Sequence, residues 1–345
     1  MDIVRNVDVK YRFIEPVYLN DKRLGQINAI NNPMVSGGSL NIFGAKMPTI
    51  LASIGEFFER ERMMPNKLNR KIFTDGLITG YSLIDKKTVQ IYINDIIGDR
   101  NNFVDSCGLA SHTNSSDCIF NAVKEFIERQ SFIFNYLSKA NGKLIDLYSV
   151  EKYEYILKEF KDFKFYDISL VDKFYVILCK GIYDGKFYIG LGASNCLDEA
   201  ISQSIKEIFQ MNSIYSYEKS NTLKSNNKKS NDYLDIFMSL STERLDEAYK
   251  YLDENHTVLK YKKIAPKRFS VENIFKQLHK QYQMNPLIFF LEPLREIENL
   301  KFVKVLDLNW FPNLFPKTYN EKVYDFVENA TNQKLDRRCE FIPFP

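Results

Sequence analysis

One pattern of acidic and apolar residues occurs three times in this chain. In chain order the copies are Glu56-Phe-Phe-Glu59-Arg60, Glu125-Phe-Ile-Glu128-Arg129 and the partial copy Glu207-Ile-Phe-Gln210. Each copy falls late in a stretch whose apolar residues recur at helical spacing. Positions i and i+3 of a helix share a face, so the polar residues of a copy point in one direction while the apolar pair packs into a core. The pattern predicts three long helices that each present polar groups on one face.

A single copy of this pattern is weak evidence for a site, because Glu and Arg four positions apart also form ordinary solvated helix pairs. Repetition favours a shared function. Several glutamates brought to one cleft raise each other's pKa and need compensating cations. Mg²⁺ carrying a polyphosphate meets that need, because carboxylate and phosphate oxygens suit a hard ion. Arg60 and Arg129 would then contact phosphate oxygens.

The glycine motifs of the common nucleotide-binding loops are missing. No Gly-x-x-x-x-Gly-Lys-Ser/Thr sequence occurs, and Gly190-Leu-Gly192 lacks the third glycine of a dinucleotide fingerprint. Carboxylates and arginines would therefore hold a bound nucleotide. The three histidines have no metal-ligand spacing, and the five cysteines are scattered without a Cys-x-x-Cys pair, so neither a zinc site nor a disulfide framework is predicted.

Composition places the chain among soluble globular proteins. Its 345 residues, of which 45% are hydrophobic and 26% charged, provide for a large core. The net charge of +3 gives no reason to expect nucleic acid or an acidic membrane as a partner. The N-terminus is charged from its second residue, and apolar runs such as 287–291 are far shorter than the roughly 20 residues that span a bilayer. We therefore expect a cytoplasmic protein.

Helical and strand patterns alternate along the chain. Helical periodicity covers residues 48–62, 116–137, 197–217, 243–255 and 271–282, with residues 115–117 as candidate caps of the second helix. Strand patterns cover 88–93, 173–179, 186–191, 287–291 and 302–306, and Asp184-Gly185 predicts a hairpin between the second and third. The alternation predicts an α/β (α+β) fold with mixed sheets in a single domain, residues 1–345. Residues 219–232 predict a polar surface loop, and 340–345 a Pro-rich tail.

Residues 105–131 (DSCGLASHTNSSDCIFNAVKEFIERQS) resemble the central signature of the YcaO family, in which a strand end with Gly and Ala leads through an acidic-Ala helix start to Glu-x-x-Glu-Arg. Residues 54–60, residues 193–210 and the ending 342–345 (IPFP) resemble further family motifs in the same order. The similarity spans residues 36–345 and is strongest to the YcaO subunits of synthetases that make azole-containing microcins. Four ordered motifs make this resemblance specific.

The resemblance implies an ATP-dependent cyclodehydratase. Such an enzyme closes Cys, Ser or Thr side chains of a ribosomal precursor peptide onto the preceding amide, and phosphorylation of the amide oxygen allows that oxygen to leave, giving thiazolines or oxazolines. The implied partners are the precursor peptide, an E1-like protein that binds its leader, and a flavin-dependent dehydrogenase that oxidises azolines to azoles. The E1-like partner is expected because no such region precedes the matched sequence.

The resemblance also assigns roles to individual residues. Five carboxylates would hold Mg²⁺ and phosphates: Glu56, Glu59, Glu125, Glu128 and Glu207. Further nucleotide contacts would come from Arg60, Arg129, Asp117 and, as a weaker candidate, Gln203. Asp117 stands where the family usually has Glu. In the tail, Pro343 and Pro345 would position catalytic groups.

Two departures from the family pattern leave alternatives open. Ala52 replaces a family Ser, and Ser36-Gly-Gly-Ser39 replaces the usual Ser-Gly-Lys-Gly. The second change favours, as one alternative, a catalytically weak scaffold that binds a partner or peptide. A second alternative keeps the ATP chemistry but uses another nucleophile, which would give a thioamide or a macrocyclic amidine.

Overall fold

The computed structural model describes residues 9–14, 23–29, 32–41, 46–63, 76–97, 105–147, 153–221, 233–254, 257–262, 270–292 and 299–344. Its strands and helices are, in chain order, β1 (Val9–Ile14), β2 (Arg23–Ala29), β3 (Asn32–Asn41), α1 (Lys46–Met63), β4 (Leu77–Ser82), β5 (Lys87–Tyr92), β6 (Leu109–His112), α2 (Ser115–Ser138), β7 (Lys143–Asp146), α3 (Glu154–Glu159), β8 (Lys161–Asp167), β9 (Tyr175–Tyr183), β10 (Lys186–Ser194), α4 (Leu197–Asn221), α5 (Tyr233–Ser239), α6 (Thr242–Ala248), β11 (Val258–Lys260), α7 (Val271–Tyr282), β12 (Leu287–Leu291), β13 (Lys301–Leu306) and α8 (Glu321–Thr331).

The chain divides into two compact units. The first is formed by Met1–Phe126 and Asn285–Leu308, and the second by Ile127–Met284 and Asn309–Pro345. The mixed α/β class predicted from the alternation of strands and helices is confirmed. That residues 1–345 act as a single domain stays a prediction.

The first unit contains two antiparallel sheets, β1-β2-β3 and β5-β4-β12-β13-β6. One face of the larger sheet carries the core, in which Phe289, Leu291 and Phe302 are buried together with Met63 of α1. Gly80 makes this packing possible, because a Cβ atom there would lie 2.4 Å from the ring of Phe289. The core thus fixes α1 against the sheet.

The second unit contains a mixed sheet with the order β10-β9-β8-β7-β11. Its neighbouring strands are antiparallel except for β7 and β11, which are parallel. β9 and β10 form the predicted hairpin. The turn residues Asp184 and Gly185 both have positive φ, 48° and 69°, as a tight two-residue turn requires.

Two glycines of β10 let α4 pack directly on the strand backbone. A Cβ atom at Gly190 would lie 2.2 Å from the carbonyl oxygen of Ser204, and one at Gly192 would lie 2.2 Å from that of Ala200. Both oxygens belong to the main chain of α4, so no side-chain rotation relieves the overlap. The glycine pair that fails to match a dinucleotide fingerprint therefore serves helix packing.

We expect Gly192→Ala to destabilise the protein by about 3 kcal/mol, because the added methyl group overlaps backbone atoms that cannot move independently. Urea unfolding measures the loss. Gly76→Ala is the matched control, since a Cβ atom at Gly76 meets nothing within 4 Å. Equal stability of the two variants would contradict the close approach of α4 to β10.

The predicted helices and strands are largely present, with a correction at the start of α2. α7 and β12 begin and end where the sequence pattern places them. The prediction that residues 115–117 cap α2 is wrong, because Asn114 Oδ1 accepts the N–H groups of Ser116 at 2.8 Å and Asp117 at 3.2 Å. Only the residue just before the helix places its side-chain oxygen within reach of the N–H groups two and three positions ahead.

Several segments differ from the sequence prediction, among them α3 and α5, which lie where no helix was predicted. The helix predicted at 243–255 ends earlier, as α6 and a separate 3₁₀ turn, Lys250–Asp253. α4 continues to Asn221, three residues into the predicted polar loop, whose remaining residues 222–232 lie outside the described part. α8 lies in a stretch for which no helix was predicted. Among the described residues, none of the helices combines the length and apolar character needed to cross a bilayer.

Candidate functional site

α1 carries the first acidic copy. Phe57, between the two glutamates, is buried and anchors the helix as predicted. Arg60 Nη2 lies 2.6 Å from Glu56 Oε1, so these residues form an ion pair along the helix. Glu59 Oε1 accepts the backbone N–H of Ser111 in β6 at 2.5 Å. The helix therefore presents an arginine-paired glutamate next to one that is bound to the adjacent sheet.

The Glu59 carboxyl is poorly stabilised in its charged form. Burial is the main reason that its pKa is raised to about 7, and the nearby Glu56 adds to the effect. Hydrogen bonds from Ser111 and the charge of Arg60 lower the pKa but do not compensate. A cation beside Glu59 would supply the missing compensation.

This pKa makes stability depend on pH in a defined direction. The folded carboxyl binds its proton more tightly than the unfolded one, so the free protein loses stability as pH rises from about 4.5 to 7. Relative to Glu59→Gln, the loss reaches up to about 3 kcal/mol above pH 7. Urea unfolding of both proteins at pH 5 and pH 8, without Mg²⁺, measures it. Parallel pH profiles for the two proteins would contradict the assignment, and Glu272→Gln on α7 is the control.

α2 carries the second copy. Phe126 and Ile127 are buried between the two glutamates, so the apolar pair again anchors the helix. Glu128 is buried and Glu125 half-buried. Because the helix is continuous from Ser115 to Ser138, the two carboxylates project from the same helical face, as the spacing predicts.

Asp117 lies in the first turn of α2, where the helix dipole is positive. Its side chain is exposed, and its Oδ2 atom lies 3.6 Å from His112 Nδ1. The position is therefore accessible to a ligand, and the nucleotide contact assigned to Asp117 stays a prediction.

Glu207 on α4 is held from two sides within the second unit. Its Oε2 atom accepts the backbone N–H of Leu191 in β10 at 2.5 Å. Its Oε1 atom lies 3.8 Å from Arg129 Nη2, which is an ion-pair distance but too long for a hydrogen bond. The side chains of Arg129 and Glu207 are 16% and 24% exposed, so the pair remains reachable from solvent.

Glu199 is a polar residue of this unit that the sequence reasoning did not single out. Its Oε2 atom accepts the hydroxyl of Ser194 at 2.6 Å, and its Oε1 atom accepts the amide of Gln203 at 3.5 Å. The acidic first turn of α4 was the available signal. Gln203, a weaker candidate from the sequence, is thus oriented by a carboxylate one turn earlier on the same helix.

The segment before Pro345 is packed into the second unit. Ile342 and Phe344 are fully buried, and Pro343 is buried between them. The carbonyl oxygen of Pro343 accepts the hydroxyl of Tyr249 at 2.8 Å. Pro345 lies outside the described residues.

The carboxylate and arginine side chains described above are of the kinds that bind Mg²⁺ together with a polyphosphate. Among the residues that the structure describes, no three His, Cys, Asp or Glu side chains are grouped so that they alone could hold a metal ion. Mg²⁺ rarely uses such a protein cage, because it is usually bound by one or two carboxylates together with substrate phosphates and water. Within the first unit, the buried carboxylate of Glu59 and the nearby Arg60 fit that mode of binding.

The sequence matches one protein-family model. Residues 52–299 match the YcaO cyclodehydratase family, described as ATP- and Mg²⁺-binding. No curated protein matches the chain significantly.

Several solved structures share the fold. A chain of the E. coli microcin synthetase McbBCD complex is similar with a TM-score of 0.75 and 16% identity, over 100% of this chain and 99% of that one. YcaO from Methanopyrus kandleri bound with AMPPCP and Mg²⁺ is similar with a TM-score of 0.65 and 13% identity, over 87% of this chain and 84% of that one. A heterocyclase in complex with substrate and cofactor is similar with a TM-score of 0.67 and 14% identity, over 97% of this chain and 55% of that one. At these identities the similarities establish the fold alone.

Proposed function

We propose, because the chain belongs to the YcaO cyclodehydratase family, that it uses ATP and Mg²⁺ to convert Cys, Ser or Thr residues of a ribosomal precursor peptide to thiazolines or oxazolines. The observation that carries the proposal is the setting of the acidic helices. In each of α1, α2 and α4 at least one apolar residue between the polar residues of the copy is buried, which anchors the helix that carries the carboxylates. Such anchoring fixes the positions of the carboxylates before a ligand arrives. Ligand binding therefore does not have to order them.

The carboxylates are the proposed ligands of Mg²⁺ and of the nucleotide phosphates through the metal. They are Glu56, Glu59, Glu125, Glu128 and Glu207. Arg60 and Arg129 contribute positive charge for phosphate oxygens, and their planar guanidinium groups can form paired hydrogen bonds with them. Asp117 and Gln203 are proposed to contact the rest of the nucleotide.

In the proposed reaction, the side-chain thiol or hydroxyl of the peptide attacks the preceding amide carbon. Bound Mg²⁺-ATP supplies the phosphoryl group that turns the amide oxygen into a leaving group. The chain's own residues would hold the phosphates and stabilise the negative charge that develops there. Pro343 and Pro345 are proposed to position catalytic groups at this site.

The proposed partners follow from the same family membership. The similar structures include a microcin synthetase complex with pro-MccB17 bound. For this chain we propose a precursor peptide as substrate, an E1-like protein that binds its leader, and a flavin-dependent dehydrogenase acting on the azoline product.

Intact-mass spectrometry of the precursor peptide tests the proposal. After incubation with this protein, the products of neighbouring genes, ATP and Mg²⁺, we expect losses in steps of one water. Glu125→Gln should abolish them, because a neutral amide replaces a charged metal ligand. Glu272→Gln, which removes the exposed partner of Lys276 on α7, is the control and should retain activity.

Other results of the same measurement support the alternatives. An exchange of oxygen for sulfur in the peptide indicates thioamide formation, and loss of one water in a ring that joins distant residues indicates a macrocyclic amidine. An unchanged peptide mass with all partners present, together with no ATP hydrolysis, favours the scaffold. The altered region Ser36-Gly-Gly-Ser39 is the sequence feature that favours this last alternative.

A further inference from the structure

Pro343 shapes the buried segment in which it lies. The N–H group of Phe344 donates to the carbonyl oxygen of Ile342 at 2.8 Å, which closes a three-residue γ-turn with Pro343 at its centre. The φ angle that proline enforces is close to the one this turn needs. The turn brings the Phe344 ring into the second unit, where the ring is fully buried.

Tyr249 fixes this turn. Its hydroxyl donates to the carbonyl oxygen of Pro343 at 2.8 Å. Its ring stacks on Phe132 and on Phe187, with centroid distances of 6.4 Å and 5.8 Å. A buried tyrosine held by two rings has little freedom, so it gives the turn a fixed attachment point.

The 3₁₀ turn that follows Tyr249 is itself held by charge. The carboxylate of Asp253 accepts hydrogen bonds from Lys164 at 2.6 Å, Tyr166 at 2.6 Å and Lys180 at 2.8 Å. Burial acts to raise the pKa of Asp253, but these hydrogen bonds lower it to about 2. The Asp253 carboxylate is therefore charged at neutral pH, and it keeps the 3₁₀ turn that follows Tyr249 bound to strands β8 and β9.

The Phe344 ring contacts the arginine of the second acidic copy. Arg129 Cζ lies 5.0 Å from the ring centroid, within the range of a cation–π interaction. Phe132, one turn further along α2 than Arg129, packs on the same ring with a centroid distance of 4.8 Å. Arg129 is therefore close both to the Phe344 ring and to the carboxylate of Glu207.

We propose that Phe344 and Tyr249 are positioning residues for the nucleotide site. Phe344 holds the Arg129 guanidinium at its distance from Glu207, and Tyr249 holds the turn that carries Phe344. This inference rests on the proposed function, which makes Arg129 and Glu207 part of the Mg²⁺-ATP site. The Nη2 atom of Arg129, 3.8 Å from Glu207 Oε1, is the part of the guanidinium that would meet a phosphate oxygen, because the Nε and Nη1 atoms are buried.

Calorimetric binding of Mg²⁺-AMPPCP to the full chain tests the role of Phe344. We expect Phe344→Leu to raise the dissociation constant about three- to tenfold, the range of a partly desolvated cation–π contact. Phe134→Leu is the control, because Phe134 is a buried ring of α2 that contacts Trp310 instead of Arg129. It should leave the constant unchanged.

Fluorination of the Phe344 ring separates an electrostatic role from simple packing. Each added fluorine weakens the negative face of the ring with little change of shape. The dissociation constant of Mg²⁺-AMPPCP should therefore rise step by step with the number of fluorines. If the ring only fills space, the dissociation constant of Mg²⁺-AMPPCP will be the same for every fluorinated variant. That result would overturn the inference.

Hydrogen–deuterium exchange of the free protein tests the role of Tyr249 without any ligand. Tyr249→Phe keeps the ring but removes the hydrogen bond to Pro343, so exchange at the Phe344 amide should become faster. Tyr251→Phe is the matched control, because its hydroxyl donates to Asn135 Oδ1 at the same distance of 2.8 Å. Equal exchange at Phe344 in the two variants would overturn the role of Tyr249.

The binding data distinguish this inference from the proposed function. A wild-type chain that does not bind Mg²⁺-AMPPCP contradicts the proposed function and the inference together. Wild-type binding that Phe344→Leu leaves unchanged contradicts the inference alone.

Discussion

The arrangement of this protein depends on helices that are buried on one side and charged on the other. A carboxylate keeps a fixed position in a folded chain only if its helix is anchored, and the apolar pair inside each acidic copy provides that anchor. Phe57, Phe126 and Ile208 are all buried next to the acidic residues of their copy. The sheets supply the surfaces on which these apolar residues pack. The same short sequence pattern therefore determines which face of each helix packs on a sheet and which face carries the charges.

The energetic cost of this design is visible at individual residues. Glu59 is held by a backbone N–H group in surroundings that disfavour its charge, whereas Asp253 is fully compensated by two lysines and a tyrosine. The first environment favours the neutral acid, and the second favours the charged carboxylate. Burial without enough hydrogen-bond donors and burial with them therefore move the pKa of a carboxyl group in opposite directions in the same chain.

Sequence reasoning was most successful where one period dominates over a long segment. α1, α2, α4 and α7 and the β9-β10 hairpin were predicted because helical periodicity and turn chemistry are local signals. α8 was missed because several prolines precede its Asn320 cap, and short β7 because four residues carry little pattern. The repeated acidic pattern was found from its spacing, and the resemblance to the YcaO family assigned roles to its residues. Phe344 and Tyr249 were not, since their contacts join residues far apart in sequence and leave no periodic trace.

The direct contact between α4 and β10 restricts how this chain can diverge. Most helices rest on a layer of side chains that substitutions can thicken or thin, which shifts the helix by fractions of an ångström over evolutionary time. At Gly190 and Gly192 that layer does not exist. The distance between α4 and β10, and with it the position of Glu207, is therefore set by main-chain atoms that every sequence has, so a chain that keeps both glycines cannot change this distance by substituting side chains.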